Sequence, residues 1–378
     1  MKRIPALLCA ALLLTLTACG TADPGPTPTP SPSDMPQVTT TPEPPPSPTP
    51  SFSPAPSEEV TPSPEPVSPY VNPLTGEAID EKMVGQKPLA IMLNNIKAAM
   101  PQQGNSQADI IYEVLAEGGI TRMLGLYQDI SDLGTIGSVR SARLYYWELA
   151  LGHDAIFVHA GGSDEFYENK SAAGLSTIDG VRGYYSYATT GLFWRDRERI
   201  SGKYYAFEHS LVTDGEHLNS ILSSRGELGA HSDDYRYEIS FTADGTPTNG
   251  QSALIVTAPF SGYKSTVFRY DDAERLYKVE QYGEAYIDGN DGTQIAVTNV
   301  LLLNTKCVVV DDAGHLSVDL SSGTGLFACG GKAIPITWEK GERDQPLRYY
   351  TTGGEPLTLG AGKSYVCILP LSRTPVVE

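Results

Sequence analysis

Positive charge is scarce in this chain. Twenty-seven Lys and Arg face 45 Asp and Glu across 378 residues, a formal net charge of −18. So acidic a surface repels phosphate backbones, which excludes nonspecific nucleic-acid binding. Long apolar runs are missing as well: the one stretch that would interest a membrane, Ala6 to Leu16, is too short to span a bilayer stably, so the mature chain is expected to have no spanning helix. The six histidines show neither HExxH nor tight His-x-His spacing, and the five cysteines show no CxxC pair. No metal and no other cofactor is therefore expected.

What is present begins at the N-terminus. Lys2 and Arg3 precede the apolar stretch, which ends at Leu16-Thr17-Ala18-Cys19, the order of parts in a secretory signal. Small residues before a cysteine resemble the bacterial lipobox, in which the thiol receives a diacylglyceryl group. Cleavage then leaves Cys19 as a new N-terminus that usually carries a further acyl chain such as palmitate. Two or three chains on one residue make a stable anchor, at about 0.8 kcal/mol per buried CH2. The expected location is the cell membrane, lipid-anchored on the extracytoplasmic face.

Residues 20–70 hold 18 of the 29 prolines and no Lys or Arg. With almost nothing apolar to bury, this Thr-Pro and Ser-Pro stretch reads as a disordered spacer biased toward polyproline II, reaching roughly 160 Å if fully extended. The remaining sequence divides at about residue 228. Residues 71–228 predict an α/β domain with a mixed sheet and flanking helices. Its parts are a strand over Pro88 to Leu93, a hairpin of Ile110 to Ala116 with Ile120 to Tyr127, and a strand from Ala155 to His159. Helices are expected from Ser141 to Gly152, from Ser163 to Ala172, and from Thr213 to Ser224. Residues 229–378 predict short strands between Gly-bearing turns, a β-rich and mostly antiparallel domain, which makes the fold class α+β. Cys307, Cys329 and Cys367 sit in or beside apolar strands and read as buried thiols or as one disulfide plus a free thiol.

Two junctions attract attention. Arg140, Ser141 and Arg143 lie where a strand passes into a helix, and Gly161, Gly162 and Ser163 lie at a second such junction. Helix N-termini offer free N–H groups, glycines let a ligand approach the backbone, and guanidinium forks match carboxylate or phosphate oxygens. An anion pocket follows. The same residues also read as ordinary caps and as ion-pair partners of Glu113, Glu117 or Asp196. His159 precedes Ser163 by four residues, but Asp164-Glu165 breaks the GxSxG elbow. Glu113 and Glu117 share strand parity and read as a carboxylate pair or as salt-bridge partners of Arg122. Tyr184, Tyr185 and Tyr187, near Trp194, Tyr204 and Tyr205, suit stacking on sugar rings or internal packing.

Several segments resemble the YerB-like lipoprotein family, built of a domain of unknown function plus a characteristic C-terminal domain. They are Pro88-Leu89-Ala90-Ile91-Met92-Leu93-Asn94-Asn95, Ala108-Asp109-Ile110-Ile111-Tyr112-Glu113, Glu117-Gly118-Gly119-Ile120-Thr121-Arg122, Val139-Arg140-Ser141-Ala142-Arg143 and Phe157-Val158-His159-Ala160-Gly161-Gly162-Ser163. The resemblance covers nearly everything after residue 71 and implies an exported, anchored protein, with no established activity attached.

The residues and the location together predict a binding or regulatory lipoprotein of the cell envelope, acting in cell-wall assembly through its anion-accepting pocket. An envelope protein or a wall polymer is the expected partner, with no nucleic acid. The alternative is a hydrolase or transferase acting on a wall peptide, glycan or anionic ester. There His159, Glu113 or Glu117 would be acid or base, and Arg140 or Arg143 would hold the anion.

Overall fold

The apolar run Leu89–Asn94 forms strand β1, and all of it is buried. Alternate side chains of a strand point to opposite faces, so Leu89, Ile91 and Leu93 enter one core while Ala90 and Met92 enter another. A strand apolar on both faces belongs inside a covered sheet. The computed structural model describes residues 69–200, 207–237 and 239–378. The expected export signal with Cys19, all of the expected spacer but residues 69 and 70, and Tyr204 and Tyr205 lie outside the described residues.

β2 (Ile110–Leu115) and β3 (Thr121–Tyr127) form the expected antiparallel hairpin, turning through Glu117–Gly119. Next come β4 (Thr135–Gly137), α1 (Leu144–Leu151), β5 (Ile156–His159), α2 (Asp164–Ala173) and β6 (Ile178–Asp179). They are followed by β7 (Trp194–Arg195), β8 (Leu211–Asp214) and α3 (Gly215–Ser224). β1 pairs antiparallel with β3 and parallel with β5, which in turn pairs parallel with β6.

The helix starts follow their caps. Ser163 Oγ accepts the Phe166 N–H at the head of α2, and Asp164 and Glu165 in the first turn complement the helix dipole. Asp214 caps α3 in the same way. Ser141 does not cap α1. The helix begins at Leu144 with Arg143 at its cap position, because the preceding residues stay extended. Arg140 N–H donates to Met92 O, and Ala142 N–H donates to Gly161 O, each at 2.9 Å.

The principal sheet runs across the boundary expected near residue 228. Strand Ser364–Pro370 lies parallel to β2 on one side and parallel to Asn299–Thr305 on the other. Beyond these the sheet continues antiparallel through Ser322–Cys329 and Lys332–Lys340, giving 11 strands in all. A second, six-stranded antiparallel sheet is built around Ile255–Pro259, Ser265–Asp271 and Leu276–Gln281, the β-rich character predicted for this part of the chain. The fold is α+β. One face of the principal sheet packs on α1 and α2 through Tyr146, Trp147 and Phe166. The other packs on the second sheet and α3 through Val256, Phe268, Leu218 and Leu222. Cys307, Cys329 and Cys367 are all free thiols, the last two buried.

Candidate anion site at the carboxyl edge of the sheet

β1, β2, β5 and β6 run in one direction, so their carboxyl ends share an edge. That edge is where open α/β sheets hold ligands, because chain leaving the strands there is free to form a crevice. Here it gathers the Arg140–Arg143 segment leading into α1, the Gly161–Ser163 loop leading into α2, Glu117 just past β2, and Arg122 at the start of β3. The two loops are zipped together: besides the Ala142 bond, Ala160 N–H donates to Arg140 O at 2.9 Å and Ser163 N–H to Ala142 O at 3.3 Å. The six residues expected to form a pocket therefore do come together. Gly161 sits at φ +77°, a conformation that a side chain resists, and a Cβ on Gly162 would lie 2.5 Å from the Phe166 ring.

Three guanidiniums surround one sheltered carboxylate. Arg143 Nε donates to Glu117 Oε1, and Arg122 Nη2 donates to Glu117 Oε2 at 3.3 Å. Arg122 Nη1 donates to the Ser141 carbonyl at 3.0 Å. Arg140 reaches the Glu208 carbonyl at 3.3 Å and its carboxylate at 3.6 Å. The Glu208 side chain is 59% exposed, against 7% for Arg122, 11% for Arg143 and 16% for Arg140, so a rim carboxylate is asked to balance a nearly buried cation. The Nε atoms of Arg122 and Arg140 are buried without a hydrogen-bond partner. Burial, with Arg143 and Arg140 nearby, pulls the Arg122 guanidinium down to about 10 against the opposing pull of Glu117. Burial pushes the Glu117 carboxyl up, but the Arg143 hydrogen bond and the Arg122 charge outweigh it and hold the group below the ordinary carboxylate value.

The other sequence candidates are engaged elsewhere. His159 is buried, its Nδ1 2.8 Å from Gly161 O and its Nε2 2.9 Å from Thr177 Oγ1, with its ring against Phe157 and Phe166. Burial lowers its pKa although Asp179 opposes the shift. It is a satisfied structural histidine, with neither ring nitrogen left for a substrate. Glu113 and Glu117 do not form a pair: the turn after Leu115 breaks the strand parity that suggested one.

Glu113 instead points into the interior and meets Lys264 at 2.8 Å, both side chains with no exposed surface. Its oxygens also accept from Asn95, Thr121, Thr266, Tyr365 and Gln281. Burial raises the Glu113 carboxyl, and Lys264 together with these donors reverses the effect and holds it low. Sequence reasoning missed Lys264, for nothing local distinguishes it from a surface lysine. It also missed Asp179, which accepts from Gly161 N–H at 3.0 Å and from the Tyr167 hydroxyl at 2.6 Å. Residues 361–363 join strand Thr358–Gly360 to strand Ser364–Pro370, and the two strands do not pair with each other.

Two family descriptions match the chain on either side of residue 228. "Protein of unknown function (DUF3048) N-terminal domain" matches residues 74–227, and the C-terminal domain of the same family matches residues 256–366. The chain belongs to the DUF3048 family. The arginine cluster lies wholly in the first DUF3048 domain, whereas the Glu113–Lys264 pair joins the first to the second. The chain is similar to the protein named "Putative lipoprotein YerB" from Bacillus subtilis (strain 168), 28% identical over 302 residues, covering 79% of this chain and 86% of that one. The crystal structure of YerB from Bacillus subtilis superposes with a TM-score of 0.70 at 26% identity, covering 82% of this chain and 99% of that chain. The resemblance read from the sequence motifs is thereby shown, and with it kinship to a protein named as a lipoprotein.

Proposed function

We infer that this DUF3048 protein is a membrane-anchored, extracytoplasmic binding or regulatory lipoprotein that takes up an anionic ligand of the cell envelope at the arginine cluster. Cell-wall assembly is the setting its location favours, since a tethered envelope domain meets wall polymers and the proteins that build them. One observation carries the reading: Arg122, Arg140 and Arg143 converge beside the Gly161–Ser163 loop with a single sheltered carboxylate among them, and two of the guanidiniums keep a buried, unpartnered Nε. Buried cations are ordinarily paired and hydrogen-bonded in full, and a bound carboxylate or phosphate would complete the set. The hydrolase or transferase alternative draws no support from this geometry, because His159 and Glu113 are both committed internally.

Calorimetric titration of the full chain with pyrophosphate tests the site. Arg140→Ala and Arg143→Ala should each weaken binding tenfold or more, which is about 1.4 kcal/mol. Unchanged affinity in both variants overturns the reading. For the anchor, labelling with a fatty acid should mark the chain and fail to mark Cys19→Ala.

A further inference from the structure

A cavity lies on the other side of Asp179, between α2, residues 175–185 and residues 225–229, with a volume of ≈ 730 Å³. That is within the range of small-molecule sites, roughly 300–1,000 Å³. Four cations face it and two are already neutralised: Lys87 pairs with Asp154 at 2.7 Å, while Arg225 donates to the Tyr185 hydroxyl at 2.8 Å and lies 3.9 Å from Glu227. Lys170 and Arg182 are different. Among the described residues neither meets a carboxylate. Lys170 Nζ has one long contact, 3.5 Å to Thr177 Oγ1, and the Arg182 guanidinium lies over the Tyr167 ring, 4.2 Å from its centre. Stacking fixes the plane of a guanidinium and leaves its in-plane N–H donors free for a carboxylate fork. Two uncommitted positive charges facing one cleft stand out in a chain of net charge −18.

Tyr184 supplies the second element. The residue is 53% exposed, although Arg225 lies over its ring at 4.1 Å and Tyr185 meets it edge-on at 5.1 Å. A large aromatic propped upright in solvent presents apolar surface that water does not favour, and the C–H face of a sugar ring is a natural cover for it. We propose that this cleft is a binding site for an acidic glycan, with the saccharide stacked on Tyr184 and its carboxylate held by Lys170 and Arg182. The assignment is independent of the arginine cluster, with which the cleft shares only the wall formed by Asp179.

The test is calorimetry on the full chain with three probes. One is a soluble strand of alternating N-acetylglucosamine and N-acetylmuramic acid, which bears lactyl carboxylates. The others are neutral chitotetraose and tetraglutamate, which is acidic but has no sugar. The acidic strand should bind at least tenfold tighter than either of the others. Lys170→Gln with Arg182→Gln should erase its advantage over chitotetraose, and Tyr184→Ala should weaken both glycans at least tenfold. Tyr184→Ala should leave pyrophosphate binding unchanged, which separates this site from the arginine cluster. No binding of the acidic strand, equal binding by the variants, or a preference for tetraglutamate overturns the proposal.

Discussion

The Glu113–Lys264 pair gives the sharpest test of how this fold is held together. Both side chains are fully buried, 2.8 Å apart, and they belong to different DUF3048 domains. Lys264→Met leaves an ionised carboxylate in the core with only neutral donors around it, and Glu113→Gln leaves an ammonium there without its counter-charge. Losing one partner of a buried pair destabilises by about 3–5 kcal/mol, whereas removing both charges often has little effect. At an m-value of about 3 kcal/mol per M, either single change should lower the urea midpoint by about 1 M or more.

The double variant should lose far less than the sum of the two, because the amide that replaces the Glu113 carboxylate keeps part of the hydrogen-bond network and no buried charge remains. Acid separates the cases further. In the native chain the carboxyl of Glu113 is held below its ordinary value, so its contribution is complete above that value and is lost as pH falls through the depressed one. In Lys264→Met, burial is opposed only by the neutral donors and raises the carboxyl, so stability should instead recover as pH falls toward the ordinary value. The assay is urea unfolding followed by tryptophan fluorescence between about pH 4 and pH 7, the range over which a raised carboxyl titrates. The reasoning fails if Lys264→Met loses less than about 1 kcal/mol at neutral pH, or if the two single effects simply add.

Three other outcomes are expected. Burial drives His153 down to about 3, so its contribution is complete above the ordinary histidine value and declines as pH falls from there, by about 1.4 kcal/mol per pH unit; His153→Gln should flatten the acid limb of stability against pH. Gly161→Ala forces a side chain into φ +77° and should lower stability by about 1 kcal/mol or more, read as a fall in Tm with pyrophosphate binding weakened alongside. A thiol reagent should find three reactive cysteines in the unfolded mature domain, yet react slowly with the native one, where burial pushes even the half-exposed Cys307 up to about 12.

Local pattern served well wherever chemistry and structure are set by neighbours in sequence. The β2–β3 hairpin, the doubly apolar β1 and the Ser163 cap were all legible, and so was the meeting of Arg140, Arg143 and Gly161 at the ends of strands, since each motif marks a strand-to-helix junction. Ser141 misled because a cap needs the next residue to turn, and here the chain continues extended until Arg143. Glu113 misled because parity counts only while the strand lasts. Long-range pairing was beyond reach: nothing between residues 110 and 115 announces that residues 364–370 will lie beside them. Lys264 became a buried cation only because Glu113 arrived from the other DUF3048 domain. The cleft was half legible, through its tyrosines, but the stacking of Arg182 on Tyr167 comes from packing between segments that share no motif.

Strand Ser364–Pro370 has a consequence for how such a protein comes into being. It is the central slat between the two halves of the principal sheet, yet it is synthesised after both of its neighbours. Until it arrives, β2 on one side and Asn299–Thr305 on the other face each other across a gap, with their backbone donors and acceptors unmet. The principal sheet therefore cannot close until that strand has been made, and a polypeptide clipped before residue 364 should be cleared by proteases instead of persisting as a folded first domain.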